Sequence, residues 1–258
     1  MKTALITGAT AGIGESFARL LARNGYNLIL VARDLDRLNQ RKIELRELHP
    51  QIKIELLKAD LTVASDLNMV SARAEKGIDL LINNAGFGIN KTFTKSEFVQ
   101  EQELLDLLVK APMQLTHSAL PAMLNQGSGA IINVSSIASW IAGGTYSAAK
   151  SYLTVFSESL HSEVKDSGIK VLSLCPGFTR TEFHQRGRMR MNGLPNFLWL
   201  SADQVSKIAW RDLQRGRVIS VPGWQYKIIS SIVRFGPRPL VRKIGMNIKM
   251  KQRQRKDK

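Results

Sequence analysis

Thr3-Ala4-Leu5-Ile6-Thr7-Gly8-Ala9-Thr10-Ala11-Gly12-Ile13-Gly14 joins a short apolar run to a helical pattern through three glycines. The run is β-branched and leucine-bearing, as a strand should be, and the helical pattern continues over about residues 12–24. Glycines between a strand and a helix fold the chain back tightly. They also let free N–H groups at the positive end of the helix approach a pyrophosphate. Gly8, Thr10, Gly12, Ile13 and Gly14 are therefore candidate contacts to a dinucleotide. Position gives the motif its weight, because glycines in another setting would mean only a turn.

The pattern repeats outward from this turn. Short apolar runs at 27–32, 52–57, 79–83, 129–134 and 169–174 alternate with helical stretches at 34–48, 65–76, 97–125 and 146–167. A helix near 202–215 and a strand at 217–221 complete seven strands. Near-continuous apolar strands separated by helices predict a parallel sheet covered on both faces. The expected fold is α/β, a Rossmann-type doubly wound, seven-stranded parallel sheet. One dinucleotide-binding domain is expected over residues 1–225, followed by a basic amphipathic extension over 226–258.

Bulk properties agree with a single globular unit: 258 residues, 44% apolar and 22% charged. No run approaches the roughly 20 apolar residues that span a bilayer. A strand beginning at Thr3 leaves no room for a leader, and the lone Cys175 has no internal disulfide partner, so a cytoplasmic location is expected. Four histidines and one cysteine show no metal-ligand spacing. The net charge of +16 is unevenly placed: Tyr226 to Lys258 carries eleven Lys or Arg and one Asp, a net of +10.

The end of the second strand bears on the cofactor. An acid there holds a ribose 2′-hydroxyl, whereas an arginine accommodates a 2′-phosphate. Here Ala32 takes the acid's place and Arg33-Asp34 follows. Arg33 can pair with a phosphate through two N–H groups, and Asp34 can cap the next helix. This favours NADP(H). In the opposing reading Asp34 holds the ribose and Arg33 is a solvated charge.

Four segments in one order, Thr7-Gly8-x-x-x-Gly12-x-Gly14, Asn83-Asn84-Ala85-Gly86, Tyr146-x-x-x-Lys150 and Pro176-Gly177, resemble the short-chain dehydrogenase/reductase family over about residues 3–185. The resemblance implies hydride transfer with a nicotinamide cofactor, a small-molecule carbonyl or alcohol substrate, and frequent dimers or tetramers. It implies that Asp60 and Leu61 lie near the adenine and that Asn84, Ala85 and Gly86 line the cofactor cleft with Pro176 and Gly177. Tyr146 would be the acid/base, Lys150 would bind the nicotinamide ribose, and Thr181 would touch the carboxamide side.

The chemistry also stands on the residues. Tyr146 and Lys150 are four apart in a helical segment and share one face. A free phenol, with a pKa near ~10, is a sluggish base at neutral pH. A neighbouring ammonium and an oxidised nicotinamide would both lower it. A third group is expected at the carboxyl end of the fifth strand, where Ser135-Ser136 follows Val134. Family register selects Ser136 as hydrogen-bond donor to the substrate oxygen, with Ser135 as the alternative.

Two departures from the family pattern stand out. Ser136 lies ten residues before Tyr146, about three fewer than in most relatives, so the small-residue loop Ile137–Thr145 must be shortened. Leu108 occupies the position of an asparagine that, in the family, interrupts the helix and holds a relay water behind the lysine. Residues 179–200 should cover the cleft. They combine Phe183, Met189, Met191 and Trp199 with Arg180, Arg186, Arg188 and Arg190, and His184 is expected at the surface. Methionines and aromatics suggest an apolar or lipid-like substrate. Apolar spacing over 226–235 suggests docking on the body. Farther on, Leu240, Ile244 and Met246 among lysines and arginines suggest either a solvated tail or peripheral contact with an anionic membrane. No nucleic-acid-reading motif accompanies the charge. The sequence thus leaves an NADP(H)-dependent oxidoreductase ahead of a cofactor-binding module with little catalysis.

Overall fold

A computed structural model describes residues 1–183 and 195–237, together with Pro239 and Val241. The chain runs β1 (Thr3–Thr7), α1 (Gly12–Arg23), β2 (Asn27–Ala32), α2 (Leu35–Leu48), β3 (Ile54–Lys58), α3 (Ala64–Glu75) and β4 (Leu80–Asn83). Next come α4 (Phe98–Leu105), a π turn (Asp106–Lys110), α5 (Ala111–Gln126), β5 (Gly129–Val134), α6 (Thr145–Val164) and β6 (Ile169–Leu174). Then follow β7 (Thr179–Arg180), β8 (Leu200–Ser201), α7 (Ala202–Gln214), β9 (Ile219–Ser220) and α8 (Trp224–Phe235). Sequence and structure agree on the seven main strands to within a few residues.

These seven strands form one parallel sheet in the order β3-β2-β1-β4-β5-β6-β9. Because β1 pairs with both β2 and β4, successive connections leave it in opposite directions and a crevice opens at the carboxyl ends. Side chains alternate across the sheet. Ala4 and Ile6 meet Phe17, Leu21, Val205 and Leu213 on one face. Leu5 meets Leu115, Ala119 and Leu160 on the other. Burial on both faces is why the strands read as unbroken apolar runs.

The helix ends differ in a way that bears on function. Asp34 caps α2 by accepting from the Arg37 N–H at 3.0 Å. Ser201 and Gln204 form a reciprocal capping box on α7. The α1 N-terminus begins at Ala11 and has no side-chain cap. Its first N–H groups are left for another acceptor.

Three features correct the expectations. Residues 97–125, expected as one regular helix, are a continuous helical run in which the π turn interrupts the α-helical bonding between α4 and α5. The β7–β8 ribbon was not expected; it pairs Thr179 with Leu200 and Arg180 with Ser201. The expected boundary between residues 225 and 226 falls inside α8, and Tyr226 is buried in the main core. His184, Arg186, Arg188, Met189, Arg190 and Met191 lie outside the described residues, as do Leu240, Ile244, Met246 and the chain beyond.

Candidate active site

The crevice is built around Thr7, the last residue of β1. Its hydroxyl accepts from the N–H groups of Asn84 and Ala85, at 2.9 and 3.0 Å. The Asn84 amide returns to the glycine turn, donating to the carbonyls of Thr7 at 2.9 Å and Gly8 at 3.2 Å. This close approach explains the glycines. A Cβ on Gly8, whose φ is +67°, would lie 2.9 Å from the Asn84 amide nitrogen, and one on Gly14 would collide with the same group. Asn84 to Gly86 thus hold the cleft's shape from behind. Asn83, buried beneath them, donates to Asn133 on β5 at 2.8 Å.

The open side of the turn fits a dinucleotide. Gly8 and Ala9 spend their N–H groups on the Val31 carbonyl, but the uncapped start of α1 faces no side-chain acceptor. A positive helix end without a cap is a fitting seat for a pyrophosphate. Thr181 stands against it, with its Cγ2 2.8 Å from where a Cβ on Gly12 would be. Beyond β2 the Arg33 side chain is 72% exposed and reaches Asp60 at 3.4 Å. Burial alone would raise the Asp60 pKa; hydrogen bonds from Thr62 and the Arg33 charge outweigh it and hold the carboxyl below its usual range. Leu61, expected beside it, has its side chain packed in the core near Leu67 and Val31.

Ser136, Tyr146 and Lys150 come together past β5. Ser136 is extended, and its hydroxyl accepts from the Ala138 N–H at 3.1 Å, starting a single 3-10 turn over Ile137–Trp140. That tight turn, with Gly144 at φ +81° as the residue before α6, takes up the shortened loop. The Ser136 side chain also acts on Tyr146, pulling its phenol downward. The alternative, Ser135, is buried, donating to the Lys150 carbonyl at 2.8 Å and pairing with Thr154. The structure therefore brings Ser136, not Ser135, to the tyrosine.

Electrostatics at the pair depart from expectation. The Lys150 ammonium donates to the Val134 carbonyl at 2.6 Å and lies 5.8 Å from the centre of the Tyr146 ring. Burial pushes the Tyr146 phenol up to about 12, against a smaller downward pull from Ser136. Burial also holds Lys150 down to about 8, with Cys175 acting in the opposite direction. Removal of water is thus the largest influence on the phenol in the chain alone.

Leu108 sits in the π turn and is buried. The distortion associated with the family's asparagine is present here without it. The leucine packs close against Gly86, its Cδ2 2.9 Å from where a Cβ on that glycine would be. With Leu104 and Ala149 it forms a small apolar cluster against Phe87, Ile89, Val109 and Tyr146.

Comparison with known proteins agrees with this geometry. The family model described as short chain dehydrogenase matches residues 2–191. The chain belongs to the short-chain dehydrogenase family. Among solved structures, a short-chain dehydrogenase from Sphingobium yanoikuyae in complex with NADPH is 31% identical, with a TM-score of 0.85 over 93% of this chain and 95% of that one. The bulky-bulky ketone specific alcohol dehydrogenase from Comamonas testosteroni is 29% identical, with a TM-score of 0.80 over 90% and 91% of the two chains. A very-long-chain 3-oxoacyl-CoA reductase-like protein of Arabidopsis thaliana is 30% identical over 97% of this chain and 82% of its own length.

Two parts of this short-chain dehydrogenase escaped the sequence. Tyr226 of α8 closes the back of the Pro176-Gly177 turn. Its hydroxyl accepts from the Phe178 N–H at 3.0 Å and donates to the Leu198 carbonyl. A Cβ on Gly177 would fall inside its ring. Gly177 is thus required by packing, while the Pro176 carbonyl accepts from the Ile137 N–H at 3.1 Å and steadies the serine loop. The second is a paired contact between Arg37 of α2 and Glu182, which ties the residues just after β7 to the side where Arg33 stands. An arginine and a glutamate so far apart in sequence leave no local signal. Among the described residues, no group of three His, Cys, Asp or Glu side chains forms a candidate metal site.

Proposed function

We propose that this short-chain dehydrogenase is an NADPH-dependent carbonyl reductase acting on a bulky, apolar or lipid-like ketone. The observation that carries the reading is the Ser136–Tyr146–Lys150 group at the crevice, with its phenol held protonated. A phenol pushed up to about 12 is a poor base at neutral pH but is loaded to donate. When bound, the reduced nicotinamide supplies a hydride to the carbonyl carbon. Ser136 hydrogen-bonds the carbonyl oxygen, Tyr146 gives it a proton, and the Lys150 charge steadies the phenolate left behind. Leu108 cannot hold a relay water, so Tyr146 is reprotonated from Lys150, which the Val134 carbonyl holds in place and which regains its proton from solvent reaching the cleft.

The choice of NADPH rests on Arg33 and Asp34. Asp34 is engaged as the α2 cap, while the exposed Arg33 is free to turn toward a 2′-phosphate in place of its long contact to Asp60. The complex of the Sphingobium relative supports the same choice. For the substrate, Phe183 packs beside Tyr146 with ring centres 5.9 Å apart. Phe87 and Ile89 add apolar surface near the phenol. The ketone named for the Comamonas enzyme and the acyl chain named for the Arabidopsis relative are of that character. Exposed Phe98, Val99 and Met113 on α4 and α5 and Val155 on α6 support a homo-oligomer, which light scattering on the full chain would test.

The deciding experiment follows NADPH oxidation over a panel of bulky ketones, with wild type beside Tyr146→Phe. The substitution is expected to lower turnover on the order of 10²–10⁴-fold while NADPH still binds. Tight NADPH binding with no turnover on any ketone would instead favour a cofactor-binding module. Arg33→Ala should weaken NADPH far more than NADH; equal weakening would sink the cofactor choice.

A further inference from the structure

The outer face of α8 has no role in the proposed reaction, yet it exposes four large apolar side chains. Trp224, Ile228, Ile232 and Phe235 are 69%, 55%, 57% and 84% exposed. At about 100° per residue all four lie within an arc of about 80°. The opposite face, with Tyr226 and Val233, is buried. Lys227 and Arg234 flank the stripe on one side, and the Arg234 guanidinium lies over the rings of Trp140 and Phe235 with Glu158 4.0 Å away. From Trp224 to Lys258 the chain has eleven Lys or Arg and a single acidic residue, Asp257.

We infer that α8 is a docking face for an anionic lipid bilayer, lying in the interface with Trp224, Ile228, Ile232 and Phe235 among the acyl chains. A stripe of large apolar side chains bordered by cations matches the two phases of such a surface, acyl chains below and anionic headgroups above. A second copy of the chain fits less well, because it would bring the same concentration of positive charge against itself. Nucleic acid would satisfy the cations but offers no apolar phase for Ile228 and Ile232. The face also adjoins the cleft: Gln225 donates to the Phe197 carbonyl at 3.0 Å, and Tyr226 donates to that of Leu198. Phe197 is itself 62% exposed. Docking through α8 therefore sets the rim of the cleft at the bilayer. Docking itself is independent of the reductase reading; delivery of an apolar ketone from the lipid rests on it.

The test is co-sedimentation of the full chain with vesicles of phosphatidylcholine, plain or with about 30% phosphatidylserine. Wild type should pellet with the anionic vesicles and remain in solution with the neutral ones. Ile228→Asp/Ile232→Asp should weaken binding at least about tenfold. Its circular dichroism and NADPH affinity, which do not involve this face, should match wild type. If that variant is misfolded, Trp224→Ser/Phe235→Ser replaces it with the same expected loss. The inference is overturned if wild type ignores anionic vesicles, or if the folded variant binds them as tightly as wild type. Dissociation of a wild-type oligomer by the variant, without vesicle binding, would assign the face to a second copy; binding to DNA or RNA in place of vesicles would also overturn it. None of these readouts needs turnover, so failure here leaves the reductase reading untouched.

Discussion

Replacing Lys150 by methionine should change stability in a pH-dependent way whose size follows from burial. The side chain is 5% exposed, and burial holds its ammonium down to about 8 against an ordinary 10.5. That gap corresponds to about 3 kcal/mol carried by the folded state. At pH 7 the lysine is charged in both folded and unfolded chains, and the folded chain bears the whole cost. As pH rises through 8 the folded protein sheds the proton while the unfolded chain keeps it, so wild-type stability climbs until about 10.5. Methionine fills similar space and has no such dependence. Losing the contact to the Val134 carbonyl is a roughly constant penalty for the variant. The stability of Lys150→Met relative to wild type should therefore be more favourable at pH 7 than at pH 10 by about 2–3 kcal/mol. Urea unfolding of both cofactor-free proteins across this range, followed by circular dichroism, measures the difference directly. A difference flat within about 0.5 kcal/mol would mean that the ammonium is not desolvated, and would remove the basis for the electrostatic account of the pair.

Asp34→Ala should cost about 1 kcal/mol through loss of the α2 cap and leave the preference between NADPH and NADH unchanged. A selective rise in KM for NADH would show that Asp34 holds a ribose. Tyr226→Phe removes a hydroxyl that serves the Phe178 N–H and the Leu198 carbonyl, with an expected loss of about 1–3 kcal/mol in urea unfolding. An unchanged midpoint would argue against the clamp. Leu108→Asn should destabilise by about 2–4 kcal/mol, because it opens space against Gly86 and places an amide in an apolar cluster. A stable, faster variant would show that the family's relay has been restored.

The sheet was legible because its strands are buried on both faces, which compresses each into an apolar run with polar ends. Tyr146 and Lys150 were legible because a helix sets their relation locally, four residues apart. Ser136 needed more than sequence: Ser135 and Ser136 are chemically alike, and only the 3-10 turn after the strand decides which one meets Tyr146. The π turn at Leu108 was hidden because the amide associated with such a distortion is missing, while packing against Gly86 keeps the shape. Tyr226 and the β7–β8 ribbon were illegible for another reason. They are contacts between distant segments, and two-residue strands carry no period to read. Glycine in Pro176-Gly177 looks the same whether it admits a cofactor or an aromatic ring.

The π turn also fixes a phase relation. A π turn carries one residue more than the α-helical path would need, so the faces of α4 and α5 are offset by about 100° from those of a continuous helix. Glu101 and Leu104 on α4 are buried, and so are Ala111 and Leu115 on α5. On a regular helix these four would share one stripe; the surplus residue splits it, so that Leu104 packs in the cluster with Ala149 of α6 while Ala111 and Leu115 pack in the cluster with Val70 of α3. Shortening residues 106–110 by one would heal the helix and rotate one half against the other, turning a buried carboxylate or a core leucine into water. A chimera that exchanges this segment with a relative must match its length before its chemistry.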